Sequence, residues 1–270
     1  MKKISFGVVG YGKMGSSLVK GALNSGLLSV KSTKVYDLDG ARIKLAKRDG
    51  LLTVDSLAGI AGSDIILLAV KPKDMPKLLD ELKALVPAGK ALFISIAAGI
   101  KIATMESRLG EGSRIVRMML NIAASVNEAA SVFVLNRWAR ASDIKFTTSL
   151  LEGIGVAHRL DNESLIDAVT GISGSGPAYF LLMMKALEDA GKRSGLSDDL
   201  IRSLVSQTCR GAGTLALRSS DSLDQLIKTV ASPGGTTEEA LKVMESKGFS
   251  QTVIDAVVAA TEKSKKMNYS

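Results

Sequence analysis

A chain of 270 residues with 46% hydrophobic but only 4% aromatic side chains can fill one large or two ordinary cores, using Leu, Ile, Val, Ala and Met. Its single cysteine, Cys209, excludes an intramolecular disulfide and any multi-cysteine metal site, and reads as a small hydrophobe on a helix face. The formal charge of +8 is spread without the basic runs or interleaved aromatics of a nucleic-acid binder, so it is assigned to steering an anionic cofactor and an anionic substrate. No targeting segment and no run of about 20 apolar residues is seen. The expectation is a cytoplasmic protein with no membrane and no nucleic-acid partner.

In chain order, Ile4–Val9 reads as a buried strand running into Gly10-Tyr11-Gly12-Lys13-Met14-Gly15 and then a helix. The G-x-G-x-x-G spacing assigns Gly10 to a tight turn, Gly12 to close backbone approach by a pyrophosphate, and Gly15 to helix-on-strand packing. The helix start then aims free N–H groups and a positive dipole end at an anion. From here to about Leu160 short apolar runs alternate with amphipathic ones, as in βαβ units on a parallel sheet. The expected strands are Ile4–Val9, Lys34–Tyr36, Ile65–Val70, Ala91–Ser95, Ser113–Arg117, Ser131–Leu135 and Val156–Arg159. The expected helices are Gly12–Ser25, Ala41–Lys47, Met75–Leu85, Ile100–Leu109 and Ser142–Gly153. Residues 1–160 are therefore a Rossmann-type, doubly wound, mostly parallel α/β domain that binds a dinucleotide.

Asp37 ends the second strand, 22 residues beyond Gly15. An acid there accepts from ribose hydroxyls and repels a 2′-phosphate, which leans toward NADH over NADPH, although Arg42 is near enough in sequence to hold a phosphate. Asp37 as a plain turn or helix cap stays open. Ala69-Val70-Lys71-Pro72 and Ala97-Ala98-Gly99 follow two further strands, at the carboxyl ends where open parallel sheets bind ligands.

Residues 161–270 read as all helical: Glu163–Ser194, Asp198–Ser219, Ser222–Val230, Thr236–Lys247 and Thr252–Lys265. This half looks too apolar to stand alone, so at least a dimer is expected. Thr170-Gly171-Ile172-Ser173-Gly174-Ser175-Gly176-Pro177 interrupts the first helix, where each Gly costs about 1 kcal/mol and an interior Pro about 3. It is either a ligand edge or a simple break with Ser173 or Ser175 as cap. In Ser232-Pro233-Gly234-Gly235-Thr236-Thr237-Glu238-Glu239, Thr236 with Glu239 makes a capping box behind an open Gly-Gly. That is a carboxylate receptor or a plain capped helix start. His158, the only histidine, reads as structural, and no metal-ligand cluster or Ser/His/Asp set is present. Hydride transfer to an activated acceptor suits a chain this poor in acid–base groups; hydrolysis does not.

With these stretches assembled, the chain resembles the pyrroline-5-carboxylate reductase family. The likeness rests on Gly10–Gly15, Ala69–Pro72, Ser95–Gly99, Asp167–Tyr179 and Ser232–Thr237. It implies a nucleotide-binding domain followed by a helical dimerisation domain and active sites formed across a homodimer; in that family dimers are often joined into decamers, and dimer versus decamer stays open here. By position it implies Ala69 to Pro72, Ala97 to Gly99 and Asn121 at the cofactor, Ser56 near its adenosine end, and Ser232 with Gly234, Gly235, Thr236 and Thr237 around the substrate carboxylate. Thr237 would also bond the ring nitrogen as the catalytic residue. One departure is Met119-Leu120-Asn121-Ile122-Ala123, where the family has Met-Pro-Asn-Thr-Pro; losing two prolines is expected to loosen the turn. A six-membered cyclic imine acid as substrate, or a nucleotide sensor with weak turnover, is therefore also open. A hydroxy-acid dehydrogenase fits less, since Phe180 and Met184 stand where that neighbouring group carries Lys and Asn.

Overall fold

In the computed structural model, which describes residues 4–267, eight strands form one sheet in the order β3-β2-β1-β4-β5-β6-β7-β8 among the described residues. They are β1 (Phe6–Val9), β2 (Thr33–Tyr36), β3 (Leu52–Thr53), β4 (Ile65–Leu68), β5 (Leu92–Ser95), β6 (Arg114–Met119), β7 (Ala129–Leu135) and β8 (Gly155–Arg159). All neighbours run parallel except β6 and β7, which are antiparallel across the turn Ile122–Val126. β1, β4 and β5 are buried at every position because helices cover both faces. One face packs Val8, Leu67 and Ile94 on Leu18 and Leu150 of α1 (Lys13–Asn24) and α6 (Ala141–Glu152). The other packs Ile66, Leu68 and Phe93 on Leu79 and Met105 of α4 (Met75–Leu85) and α5 (Ile102–Leu109). The chain turns to opposite sides of the sheet at β1 and β4, the switch point where such sheets open a crevice. Two elements were not expected from the pattern: β3, only two residues long, and the single turn α3 (Ala58–Ala61). The helix α2 (Gly40–Arg48) starts under the Asp39 carboxylate, which accepts the Ala41 N–H at 2.8 Å.

The chain divides into two compact units, one ending at Gly174 and taking up the chain again from Ala260, the other spanning Ser175–Ala259. The division lies beyond the boundary expected near residue 160, because Glu163–Gly174 is bonded into the first unit. The Glu163 carboxylate pairs with Arg117 at 2.7 Å and accepts the Ile102 N–H at 2.8 Å. Ser264 donates to Asp167 at 2.7 Å, and the Asn121 amide donates to the Ser173 carbonyl at 3.1 Å. A short α7 (Ile166–Val169) continues into a π-helical turn over Thr170–Gly174.

The second unit contains α8 (Gly176–Arg193), α9 (Asp198–Arg218), α10 (Leu223–Val230), α11 (Thr236–Ser246) and the first part of α12 (Phe249–Lys266). Ile201 is its one buried hydrophobic side chain among the described residues, while Phe180, Leu182, Leu204, Leu217 and Val258 are exposed. So much uncovered apolar surface on a helical unit is the surface of an interface. Among the described residues no helix is long and apolar enough to cross a membrane.

Candidate functional site

The three fingerprint glycines meet three different demands. Gly10 sits at φ +96, and a Cβ there would lie 2.5 Å from the Ala69 carbonyl oxygen. A Cβ on Gly15 would lie 2.5 Å from the Gly10 oxygen and 3.0 Å from the Ala69 Cβ, so α1 packs against the turn only without one. A Cβ on Gly12 would meet no atom within 4 Å. Gly12 is also the N-cap of α1 and has no side-chain cap, so Lys13 and Met14 open the helix with donors presented toward open space. This is a cradle that a Cβ would obstruct, and it fits a pyrophosphate.

Tyr11, between the first two glycines, turns its side chain away into full burial. Its hydroxyl donates to Asp49 at 3.0 Å, and Asp49 pairs with Lys20 at 3.0 Å. Burial first, then Asp49, pushes the phenol well above its ordinary range, so it stays protonated. Its backbone N–H donates to Asp37 at 2.6 Å. Tyr11 therefore anchors the turn from behind instead of lining the ligand side.

A cleft of about 740 Å³ opens at the carboxyl ends of β1, β2 and β4. Gly10, Gly12, Asp37, Ala69, Val70 and Lys71, all singled out in the sequence, line it. The Asp37 carboxylate accepts from Tyr11 and, at 2.9 Å, from the Asp39 N–H, which fixes its orientation. Arg42 also lines the cleft, 3.8 Å from the Asp39 carboxylate. The sequence reading passed over Lys73, Lys77 and Leu57. The signal for the lysines was present: both follow closely on the carboxyl end of β4, Lys73 in the turn Pro72–Asp74 and Lys77 in the first turn of α4. Ser56 is exposed beside Leu57 and is not among the lining residues, and neither is Pro72. Ala97, Ala98 and Gly99 follow β5: Ala97 is buried and bonded to the Ser95 hydroxyl at 3.3 Å, and Gly99 has φ +75.

The loop 119–123, expected to be loosened, is held by other means. Asn121 is buried; its carbonyl oxygen accepts from Ala123 at 3.2 Å while its NH2 reaches Ser173. Leu120 and Ala124 are buried beside it. Both ends of the Asn121 amide are thus committed within the protein. The Thr170–Pro177 motif forms a π-helical turn over Thr170–Gly174 and then breaks into α8 at Ser175, the N-cap, which makes no side-chain cap bond; Gly174 packs so closely on the Met119 methyl at the end of β6 that a Cβ there would clash.

In the helical unit, the Gly235 N–H donates to the Ser232 carbonyl at 2.9 Å and Gly234 has φ +74. That is a reverse turn with Pro233 and then glycine at its centre, the residues a type II turn requires. The turn hands the N-cap of α11 to Gly235, which has no side-chain cap. The expected Thr236–Glu239 capping box is therefore corrected: Thr236 is the first helical residue, Glu238 takes the Gly234 N–H at 2.6 Å, and Glu239 pairs with Lys242 at 2.8 Å. Thr236 is exposed and Thr237 half-buried at the uncapped start. Cys209 lies on α9 and His158 on exposed β8, and no group of metal-ligating side chains occurs among the described residues.

Comparison with known proteins covers both units. Residues 163–267 match the family "Pyrroline-5-carboxylate reductase dimerisation", and residues 5–99 match "NADP oxidoreductase coenzyme F420-dependent". The pyrroline-5-carboxylate reductase of Methanosarcina acetivorans is 36% identical, covering 99% of both chains. That of Pseudomonas aeruginosa is 38% identical, over 95% of this chain and 94% of the other. Among solved structures, a pyrroline-5-carboxylate reductase from Coxiella burnetii superposes with a TM-score of 0.93 at 32% identity, covering 99% of each chain. A Plasmodium falciparum pyrroline carboxylate reductase with NADP bound gives 0.88 at 34% identity, again over 99% of each chain. With a dinucleotide cradle in one unit, an uncapped glycine-led helix in the other, and relatives matched along the full length, the chain belongs to the pyrroline-5-carboxylate reductase family.

Proposed function

We infer that the protein reduces the C=N bond of 1-pyrroline-5-carboxylate to give L-proline, with NADH as the preferred donor. The observation that carries this reading is shared by two helices: α1 and α11 each begin at a glycine N-cap with no side-chain cap. Each therefore offers first-turn N–H groups and a positive dipole end to an anion. The α1 start suits the cofactor pyrophosphate, and Asp37 suits the ribose hydroxyls. Arg42 lines the same cleft, 3.8 Å from the Asp39 carboxylate, so the NADH preference rests on Asp37. A bound nicotinamide cofactor supplies the hydride that reduces the imine carbon.

The residues of the chain bind and orient. The first N–H groups of α11 hold the substrate carboxylate, with Ser232, Gly234, Gly235 and Thr236 shaping the approach. The Thr237 hydroxyl bonds the ring nitrogen and favours its protonated form, the better hydride acceptor. Ala97 to Gly99 and Asn121 keep the backbone near the cofactor in place. Catalysis of this kind is orientation and electrostatics, with no side chain exchanging a proton with carbon. In solution the exposed helices are expected to pair as a homodimer, and dimers to assemble into a decamer; a monomer mass by light scattering would contradict this.

Thr237→Ala tests the reading. It is expected to lower kcat by about two orders of magnitude, as for loss of one oriented polar group at a reacting centre, with little change in the KM for NADH. An unchanged kcat removes Thr237 from the mechanism.

A further inference from the structure

We propose that Glu238 is a positioning residue for the substrate carboxylate: by taking the Gly234 N–H it fixes the Ser232–Gly235 turn so that the first N–H groups of α11 stay free for the ligand. The proposal rests on the site reading above and adds to it a residue that touches neither substrate nor cofactor.

Glycine brings wide backbone freedom to positions 234 and 235, and nothing packs near Gly234: a Cβ there would meet no atom within 4 Å. Pro233 fixes its own φ, and the glycines behind it are held by hydrogen bonds. One is the Gly235 N–H to the Ser232 carbonyl at 2.9 Å, the other the Gly234 N–H to the Glu238 carboxylate at 2.6 Å. A glutamate in the third helical position ordinarily reaches back to the N-cap N–H. Here the N-cap is Gly235, whose N–H already serves Ser232, so Glu238 reaches one residue further and clamps Gly234.

The other Glu238 oxygen is 3.2 Å from Lys242, one turn on, which also holds Glu239 at 2.8 Å. The bonds to Glu239 and then Glu238 raise the Lys242 ammonium above its ordinary range, so it stays charged. Lys242 therefore steadies the clamp and offsets two negative charges beside a helix end meant for an anion. Glu238 accepts from Gly234 alone among the loop N–H groups, which leaves the donors of Thr236 and Thr237 to the ligand.

The test is steady-state kinetics with 1-pyrroline-5-carboxylate at saturating NADH, for wild type, Glu238→Ala and Glu238→Gln. Releasing the turn is expected to raise the substrate KM about tenfold in Glu238→Ala, with kcat within about twofold and the NADH KM unchanged, the pattern of lost uniform binding. Glu238→Gln keeps a carbonyl acceptor for Gly234 and is expected to return KM to within about threefold of wild type, since a neutral hydrogen bond is weaker than a charged one. A substrate KM unmoved in Glu238→Ala overturns the proposal. A lower KM overturns it too, because Glu238 would then compete with the substrate for Gly234. Equal losses in kcat, both KM values and melting temperature, with no rescue by glutamine, reduce Glu238 to a structural part and likewise overturn it. Wild-type turnover and the Thr237→Ala effect judge the site reading separately; if they hold while KM stays put, the role of Glu238 alone fails.

Discussion

Replacing Gly12 with alanine should abolish tight cofactor binding while leaving the fold intact, and replacing Gly15 should do the reverse in degree. Gly12 has φ −69 and ψ −173, extended backbone open to any residue, and its Cβ would touch nothing within 4 Å. Alanine at an N-cap costs up to about 1 kcal/mol against glycine, offset by about 0.4–1 kcal/mol from the stiffer unfolded chain. Folding stability should therefore barely move. In the proposed site the added methyl, however, stands where phosphate oxygens would come to reach the α1 N–H groups. Losing two charge-assisted hydrogen bonds at about 1.5 kcal/mol or more each weakens binding by about 3 kcal/mol, roughly a hundredfold in Kd. For Gly15→Ala the new Cβ meets the Gly10 oxygen at 2.5 Å and the Ala69 methyl at 3.0 Å, neither of which can yield without moving a strand end or α1. Because the obstacle at 2.5 Å is backbone, overpacking falls toward the upper end of its usual range, about 2–3 kcal/mol; reduced by about 1 kcal/mol of helix propensity, it leaves a net loss of about 1–2 kcal/mol, roughly 2–8 °C in Tm. Thermal melting without cofactor and fluorescence titration with NADH separate the two effects. A Gly12→Ala protein with wild-type affinity for NADH, or one melting as low as Gly15→Ala, would refute the division of labour among the three glycines.

Two other substitutions test the scaffold behind the sites. Glu163→Ala leaves the buried Arg117, 5% exposed, without its partner and the Ile102 N–H without its acceptor. An orphaned buried charge costs about 3–5 kcal/mol, reduced to about 2–4 here by the partial exposure of Glu163, so Tm should fall by at least about 4 °C. A fall under 1 °C, roughly, would show the pair to be incidental. Tyr11→Phe removes the hydroxyl bonded to Asp49 and should cost about 1 kcal/mol near neutrality. The wild-type phenol is raised from its ordinary value of 10.0, so above that pH the unfolded chain releases a proton that the folded chain keeps. Wild-type stability is therefore whole below pH 10 and declines above it, whereas Tyr11→Phe lacks this decline. Denaturant melts at pH 8 to 11 should show the two proteins converging; parallel curves would contradict the buried phenol.

The nucleotide half was legible because its signals are local. Gly10, Gly12 and Gly15 each carry one steric demand, and Asp37 falls where a strand must end. The two-residue β3 was not, since Leu52–Thr53 is too short to show a period. Nor was the reversal of β7, which depends on the Ile122–Val126 turn and the left-handed Asn127 behind it. Thr236 was misplaced as a cap because the bond that decides it, Gly235 to Ser232, belongs to the preceding turn. Long-range partners were out of reach: nothing in the residues around Asn121 announces Ser173, 52 positions away. Neither does anything near Glu163 announce Arg117, 46 positions off. Such pairs also explain why the first compact unit runs past residue 160.

The most direct measurement is oxidation of NADH and of NADPH, followed at the nicotinamide absorbance band, with freshly prepared 1-pyrroline-5-carboxylate and with proline assayed as product. The account predicts turnover with one proline formed per nicotinamide oxidised, faster with NADH than with NADPH. Tight NADH binding with no oxidation against this imine would contradict it.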